Sequence, residues 1–126
     1  MCGIAGFSSL SHTNFDLEEL AHRFSVALAH RGPDSSGKWI DRRTNNLLVH
    51  RRLSIQDLSS LGNQPMVSSN GRYVISFNGE IYNYKDLRSR VINYMGDSIV
   101  GNSDTSALIE FISHFGLTKT LSAIDG

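Results

Sequence analysis

The single cysteine of this 126-residue chain, Cys2, directly follows the initiator methionine. Removal of Met1 would place a thiol and a free α-amino group on one residue. An α-amino group titrates near 7.7–8.0, so roughly 10–20% of it is free base at pH 7. The same residue could therefore supply a nucleophile and its general base. The alternative is a chance cysteine at the start of a buried strand.

The segment Phe77–Asn83, with sequence FNGEIYN, could supply the donors that stabilise an oxyanion. The side-chain amide of Asn78 and the backbone N–H of Gly79 are suitable groups, and losing one such donor typically costs about 2.7–4 kcal/mol. Glycine at position 79 also lets the backbone approach a substrate closely. The alternative is an ordinary Asn-Gly turn.

Two charged side chains could recognise the charged groups of an amino acid. Arg52, in the run His50–Ile55, could bind a carboxylate through two parallel hydrogen bonds, or it could form a solvated pair with Arg51. Asp104 could bind an ammonium group, or it could cap a helix. Taken together with the nucleophile and the oxyanion donors, these residues predict a site for an α-amino acid with a side-chain amide. Glutamine is the obvious candidate.

The elements that must position these residues are predicted from hydrophobic periodicity and turn signals. Because the strands are joined mostly as hairpins, the sheets should be largely antiparallel, with helices packed on them. Near the C-terminus, a helix is expected to finish just before Leu121–Gly126, and the chain is expected to continue. The predicted strands are Cys2–Phe7, Gly37–Asp41, Leu47–Ile55, Met66–Ser69 and Arg72–Asn78, and the predicted helices are Asp16–His30, Asn83–Met95 and a third that Ser103 and Asp104 cap.

Composition argues against several classes of protein. Twelve basic residues balance twelve acidic ones, so nothing draws the chain towards nucleic acid or an anionic membrane. The apolar runs are far shorter than the roughly 20 residues of a membrane span, and no signal peptide is visible. A single cysteine suits a reducing compartment, so we expect a cytoplasmic location. No metal site is expected, because the five histidines show no ligand spacing with the cysteine.

Six motifs occur in the order and spacing of class II glutamine amidotransferase domains: MCGIAGF, HRGPDSSG, HRRLSI, NQPM, NGEIYN and SDT. Over its whole length the chain resembles most closely the glutaminase domain of glutamine-hydrolysing asparagine synthetase. The resemblance implies an α+β fold of the N-terminal nucleophile hydrolase type, a four-layer αββα sandwich with mainly antiparallel sheets. Residues 1–126 would then form one glutaminase domain that is incomplete at its C-terminus.

The resemblance also implies a role for each candidate residue. Cys2 is similar to the N-terminal nucleophile, and Asn78 with Gly79 is similar to the oxyanion hole. Arg31, in the RGPD loop, resembles a residue that supports the nucleophile structurally. Besides Asn78 and Gly79, the implied glutamine-binding residues are Arg52 for the α-carboxylate, Glu80 and Asp104 for the α-amino group, and Leu53 and Ile55 for the lining of the pocket.

The implied function is hydrolysis of glutamine to glutamate and ammonia through a Cys2 thioester. The ammonia would feed an ATP-dependent synthetase domain that is absent from this chain. The glutaminase domain should need no cofactor, and ATP and Mg²⁺ are expected only in the synthetase domain. The implied partners are glutamine and that synthetase domain of the same parent chain, and a homodimer is left open. Arg52 is followed by Leu-Ser-Ile and not by the Trp- and Thr-rich segment of the sugar-phosphate aminotransferases, which favours a synthetase-like parent.

Three alternatives remain open from the sequence. The domain could serve a related synthetase or amidotransferase in secondary-metabolite or surface-polysaccharide biosynthesis. It could be an amide hydrolase that cleaves another amide, although the pairing of Arg52 with Asp104 points to a free amino acid. It could also be a catalytically inactive fragment that only binds a small molecule or a partner. Labelling of Cys2 by a glutamine-like electrophile distinguishes an enzyme from a binding domain.

Overall fold

A computed structural model describes residues 2–9, 15–53, 60–96, 99 and 101–126, which form a mixed α/β fold with two antiparallel sheets. The described residues divide into two compact units. The first lies within the bounds 1–55, 63–65 and 76–78, and the second within the bounds 56–62, 66–75 and 79–126. The elements are β1 (Gly3–Ser8), α1 (Leu17–Ala27), β2 (Ser35–Asp41), β3 (Asn46–Arg52), a 3-10 turn (Ser60–Gly62), β4 (Met66–Val67), β5 (Val74–Ile75), α2 (Tyr84–Met95), α3 (Asp104–Phe115) and α4 (Leu117–Ala123).

The first unit is built on a three-stranded antiparallel sheet in the order β1-β3-β2. Gly3 of β1 pairs with Arg51 of β3, and Ser35 of β2 pairs with Arg52. The start of β1 and the end of β3 therefore meet at one end of the sheet. This register explains how Cys2 and Arg52, which are far apart in the sequence, reach the same end.

Helix α1 covers one face of this sheet. It begins where the Asp16 carboxylate accepts hydrogen bonds from the backbone N–H groups of Glu18 and Glu19, at 2.9 and 3.3 Å. Its residue Ala21 is buried with Leu47 and Val49 of β3. Since successive strand residues face opposite sides, His50 and Arg52 lie on the other face. The helix ends at Ala27, three residues before the predicted end at His30.

The second unit is built on the packing of α2 against α3, and Leu87, Val91, Ile109 and Phe111 of these helices are buried. Helix α3 is capped by Ser103, whose hydroxyl oxygen accepts a hydrogen bond from the backbone N–H of Ser106 at 3.1 Å. After α3, Gly116 adopts a φ of +84°, a conformation that favours glycine. That bend allows α4 to follow as a separate helix.

The predicted hairpin around Asn70-Gly71 is confirmed, but its strands are much shorter than predicted. Gly71 has a φ of +70°, and only residues 66–67 pair with residues 74–75. The prediction of a strand over Arg72–Asn78 is therefore wrong at both ends. Beyond β5, the backbone N–H of Phe77 donates instead to the side chain of Gln64, at 2.6 Å.

Candidate active site

Cys2 lies at the entrance to β1, and its side chain is half-buried. The backbone N–H of Leu53 donates to Cys2 Sγ over an N–S distance of 3.5 Å, and the thiol lies 3.9 Å from the Leu53 carbonyl oxygen. Leu53 directly follows β3, so the pairing of β1 with β3 places the thiol. The sulfur is thus held at the end of the sheet beside a backbone donor.

The loop between α1 and β2 supports Cys2 from one side. Arg31 Nε donates to the Cys2 carbonyl oxygen at 3.2 Å, and Arg51 Nε donates to the Gly32 carbonyl oxygen at 2.9 Å. A Cβ atom at Gly32 would lie 2.4 Å from the Arg51 carbonyl group, so glycine is required for this close approach. The RGPD loop therefore contacts both members of this strand pair: Cys2, just before β1, and Arg51 of β3.

Arg52 is buried at the end of β3, with 8% of its surface exposed. Its Nη1 donates to Asn63 Oδ1 at 3.0 Å, and the hydroxyl of Ser35 donates to the same oxygen at 3.3 Å. The alternative of a solvated arginine pair is therefore wrong for Arg52.

The segment that ends at Asn78 is held by the side chain of Gln64 and by the backbone of β3. The Gln64 side chain accepts the Phe77 N–H at 2.6 Å, and the Ser76 hydroxyl donates to the Val49 carbonyl oxygen at 3.5 Å. Asn78 itself is exposed. The two residues before the predicted oxyanion donor are therefore fixed, while its own side chain remains accessible to a substrate.

His50 is fully buried on the same face as Arg52, with 1% of its surface exposed. Burial lowers the pKa of its imidazole, a hydrogen bond to the Phe77 backbone raises it, and the positive charge of Arg52 lowers it. The net effect is a lowered pKa, so the imidazole is held neutral. Within the described part of the chain its Nε2 has no hydrogen-bond partner.

In the second unit, Asp104 is the first residue of α3, and Ser103 takes the capping position. The Asp104 carboxylate accepts hydrogen bonds from the backbone N–H groups of Thr105 and Ile81, at 2.7 and 3.1 Å. Ile81 directly follows Gly79 and Glu80, both of which are exposed. Asp104 therefore joins the start of α3 to the loop that carries the other residue predicted to bind an ammonium group.

Three supporting residues had no role in the sequence analysis: Asn63, Gln64 and Asn83. The first two belong to the NQPM motif, and each orients a predicted site residue or its neighbour. The sequence feature that could have identified them is a pair of amide side chains directly before a proline. Ile55, predicted to line the pocket, lies outside the described residues, as does Met1. No group of histidine, cysteine or acidic residues among those described could hold a metal ion, and no described helix is long and apolar enough to cross a membrane.

Comparison with known proteins shows the class to which the chain belongs. Residues 1–126 match the glutamine amidotransferase domain family over their full length, and the chain is a member of that family. This confirms the resemblance that the motifs indicate. The enzyme type is thus that of the glutamine amidotransferases.

The individual proteins that the chain is similar to carry more specific names. The chain is 38% identical to glutamine-hydrolyzing asparagine synthetase 1 of Bacillus subtilis, over 91% of its own length and 18% of that protein's. It is 39% identical to glutamine-hydrolyzing asparagine synthetase B of Escherichia coli, over 71% and 16% respectively. It is also 35% identical to amidase chry2 of Gibberella zeae, over 94% and 19%. The chain therefore spans less than a fifth of the length of these relatives.

Proposed function

We propose that this chain hydrolyses glutamine to glutamate and ammonia through a thioester on Cys2. The ammonia then passes to an ATP-dependent synthetase domain of the asparagine synthetase type in the same parent protein. The observation that carries the proposal is the position of the Cys2 thiol, held beside the Leu53 N–H in a chain that matches the glutamine amidotransferase family throughout. ATP and Mg²⁺ belong to the synthetase domain, and we expect the protein in the cytoplasm.

The proposed reaction begins once Met1 has been removed. The α-amine of Cys2 accepts the thiol proton, and the sulfur attacks the δ-carbonyl carbon of glutamine. The resulting oxyanion accepts hydrogen bonds from the Asn78 side chain and the Gly79 N–H. The C–N bond then breaks, and ammonia leaves with the proton held by the α-ammonium group. Water, deprotonated by the same amine, attacks the thioester, which releases glutamate and restores the thiol.

Glutamine is recognised in this proposal by the two charged groups on its α-carbon. Arg52 binds the α-carboxylate, and its burial and orientation by Asn63 support that role. Glu80 and Asp104 bind the α-ammonium group, supported by the hydrogen bond that ties Asp104 to the loop after Glu80. We propose the four-layer sandwich of the N-terminal nucleophile hydrolases as the fold that carries these residues.

The test uses the full-length protein with Cys2→Ala and, as a matched control, the exposed Ser89→Ala on α2. Cys2→Ala should abolish glutamine-dependent synthesis and leave synthesis from added ammonia, because only the ammonia supply is lost. Acid quenching with labelled glutamine should trap a thioester on the wild-type protein. Normal glutamine use by Cys2→Ala would overturn the proposal, as would a trapped adduct on another residue.

A second candidate function is hydrolysis of a different amide, favoured by the relative named as an amidase. The buried Arg52 argues for a substrate that carries a carboxylate. Ammonia release from glutamine should be compared with release from simple acyl amides of similar length. Equal rates would favour the amidase, whereas a strong preference for glutamine supports the amidotransferase.

A further inference from the structure

Asn83 precedes the first turn of α2 but does not cap that helix with its side chain. Asparagine at this position usually accepts a hydrogen bond from the helix. Here its Nδ2 donates to the Ala123 carbonyl oxygen at 2.8 Å, and its Oδ1 accepts the Asp125 N–H at 3.0 Å. One amide side chain thus satisfies a backbone acceptor and a backbone donor in the segment that follows α4.

The segment Ala123–Gly126, which begins at the last residue of α4, also contacts the backbone before Asn83. The Tyr82 N–H donates to the Asp125 carbonyl oxygen at 2.7 Å. A Cβ atom at Gly126 would lie 2.2 Å from the Glu80 carbonyl oxygen, so the two backbones approach as closely as glycine allows. The segment after α4 therefore lies directly against the backbone of residues 80–82.

The loop of residues 79–83 is consequently held by two separate contacts. Asp104 binds its Ile81 N–H, and the segment Ala123–Gly126 binds Tyr82 and Asn83. Glu80 lies between Gly79 and the first of these contacts, and its side chain is exposed. Hydrogen bonds made by the side chains of Asp104 and Asn83 fix the backbone around Glu80. The position of the Glu80 carboxylate depends on that backbone.

We propose that Asn83 is a positioning residue for the α-ammonium group of the substrate. By binding the segment after α4, it fixes the backbone that carries Glu80, and it acts through Glu80 without touching glutamine. This inference rests on the proposed function, which assigns Glu80 to the α-ammonium group. It predicts that losing Asn83 weakens recognition of that group and leaves the chemistry at the δ-carbonyl largely intact.

The experiment measures ammonia release by the full-length protein from glutamine and from 4-carbamoylbutanoate, which lacks only the α-amino group. Asn83→Ala should raise KM for glutamine about tenfold, change kcat less than about threefold, and reduce the preference for glutamine about tenfold. Glu80→Gln should reduce the same preference, and adding Asn83→Ala to it should change little more. Asn93→Ala is the matched control, because Asn93 is an exposed asparagine on the same helix.

Two further variants keep the test decisive if Asn83→Ala does not fold. Asn83→Asp retains a residue that favours a helix start and an acceptor for Asp125, but it loses the donor to Ala123. Gly126→Ala disturbs the contact with Glu80 from the opposite side. Both should reduce the preference for glutamine. Wild-type preference in these variants, or equal losses with both substrates, would overturn the positioning role.

Cys2→Ala is measured in parallel to separate the two hypotheses. Ammonia release by Cys2→Ala would overturn the proposed function and this inference with it. An inactive Cys2→Ala together with an unchanged preference in the Asn83 variants would overturn the positioning role alone.

Discussion

The carboxylate of Asp104 accepts a hydrogen bond from the backbone N–H of Ile81, over an Oδ2–N distance of 3.1 Å. The two residues lie 23 positions apart, so this contact joins the start of α3 to the loop after Gly79 and Glu80. A carboxylate at the N-terminus of a helix is also favoured by the helix dipole. One side chain therefore serves the fold and, in the proposed function, the substrate.

Substitution of Asp104 should separate these two contributions. Asp104→Asn keeps one acceptor oxygen, which can serve the Ile81 N–H while the bond from the Thr105 N–H is lost, and it removes the charge. KM for glutamine should therefore rise at least about tenfold, with a smaller loss of stability than in Asp104→Ala. Asp104→Ala should raise KM and also lower the free energy of unfolding by about 1–2 kcal/mol. Steady-state kinetics and denaturant unfolding check both, with the exposed Asp86→Asn as control. An unchanged KM in Asp104→Asn would remove the residue from the binding site.

Loss of the Asn78 side chain should reduce the rate and leave binding largely unchanged. Asn78→Ala should lower kcat for glutamine by about 10²–10³, because a donor that acts mainly on the oxyanion stabilises the transition state. KM should change less than about threefold. Steady-state kinetics with Asn93→Ala as control provide the check. A variant whose KM rises while kcat is retained would show that Asn78 binds the ground state instead.

Removal of Met1 should be required for glutamine hydrolysis. While Met1 is attached, the nitrogen of Cys2 is a peptide amide and cannot accept a proton near neutral pH. Intact mass and glutaminase activity should be measured before and after treatment with methionine aminopeptidase. Activity should appear in step with the loss of the methionine mass. Equal activity in both forms would show that the α-amine is not the base.

The buried imidazole of His50 should make the fold sensitive to acid. Its pKa is lowered in the folded chain, so between that value and about 6.5 the unfolded chain binds the extra proton. The contribution of His50 to the free energy of unfolding should therefore be constant above about pH 6.5. Below that pH, the free energy of unfolding should fall as the pH decreases. Denaturant unfolding at several pH values measures the slope.

Two variants test whether the pH dependence of the free energy of unfolding comes from His50. His50→Gln should remove this part of the pH dependence, whereas the exposed His22→Gln should retain it. The same slope in wild type and His50→Gln would contradict the assignment.

Local patterns predicted most elements of this fold, and long-range contacts decided the remainder. The apolar spacing of α1 and the Asn70-Gly71 turn are encoded within a few residues, so both were predictable. The short β5 was not, because Phe77 is bound by Gln64, which precedes the hairpin. Helix α4 depends on a left-handed glycine at position 116, a signal that the sequence pattern alone did not separate from the end of α3.

In the candidate site, too, local sequence predicts some features and distant contacts decide the others. Residue types at Cys2, Asn78 and Asp104 predict the chemistry, because nucleophiles, oxyanion donors and carboxylates form a small set. The burial of Arg52 could not be predicted, since Asn63 and Ser35 orient it from distant parts of the chain. Asn83 was predicted only as the first residue of a helix, and the position of the segment after α4 shows what its side chain binds.

The order of strands in the first sheet has a consequence for how the chain folds. Strands β2 and β3 are joined by a short turn, whereas the contact between Cys2 and Leu53 closes a separation of 51 residues. Because closing a longer loop costs more chain entropy, we expect the β2–β3 hairpin to form first and β1 to join its free edge later. The N-terminus would then stay unpaired during early folding, while its first peptide bond is accessible to an aminopeptidase. The nucleophile would thus be able to mature before the sheet is complete.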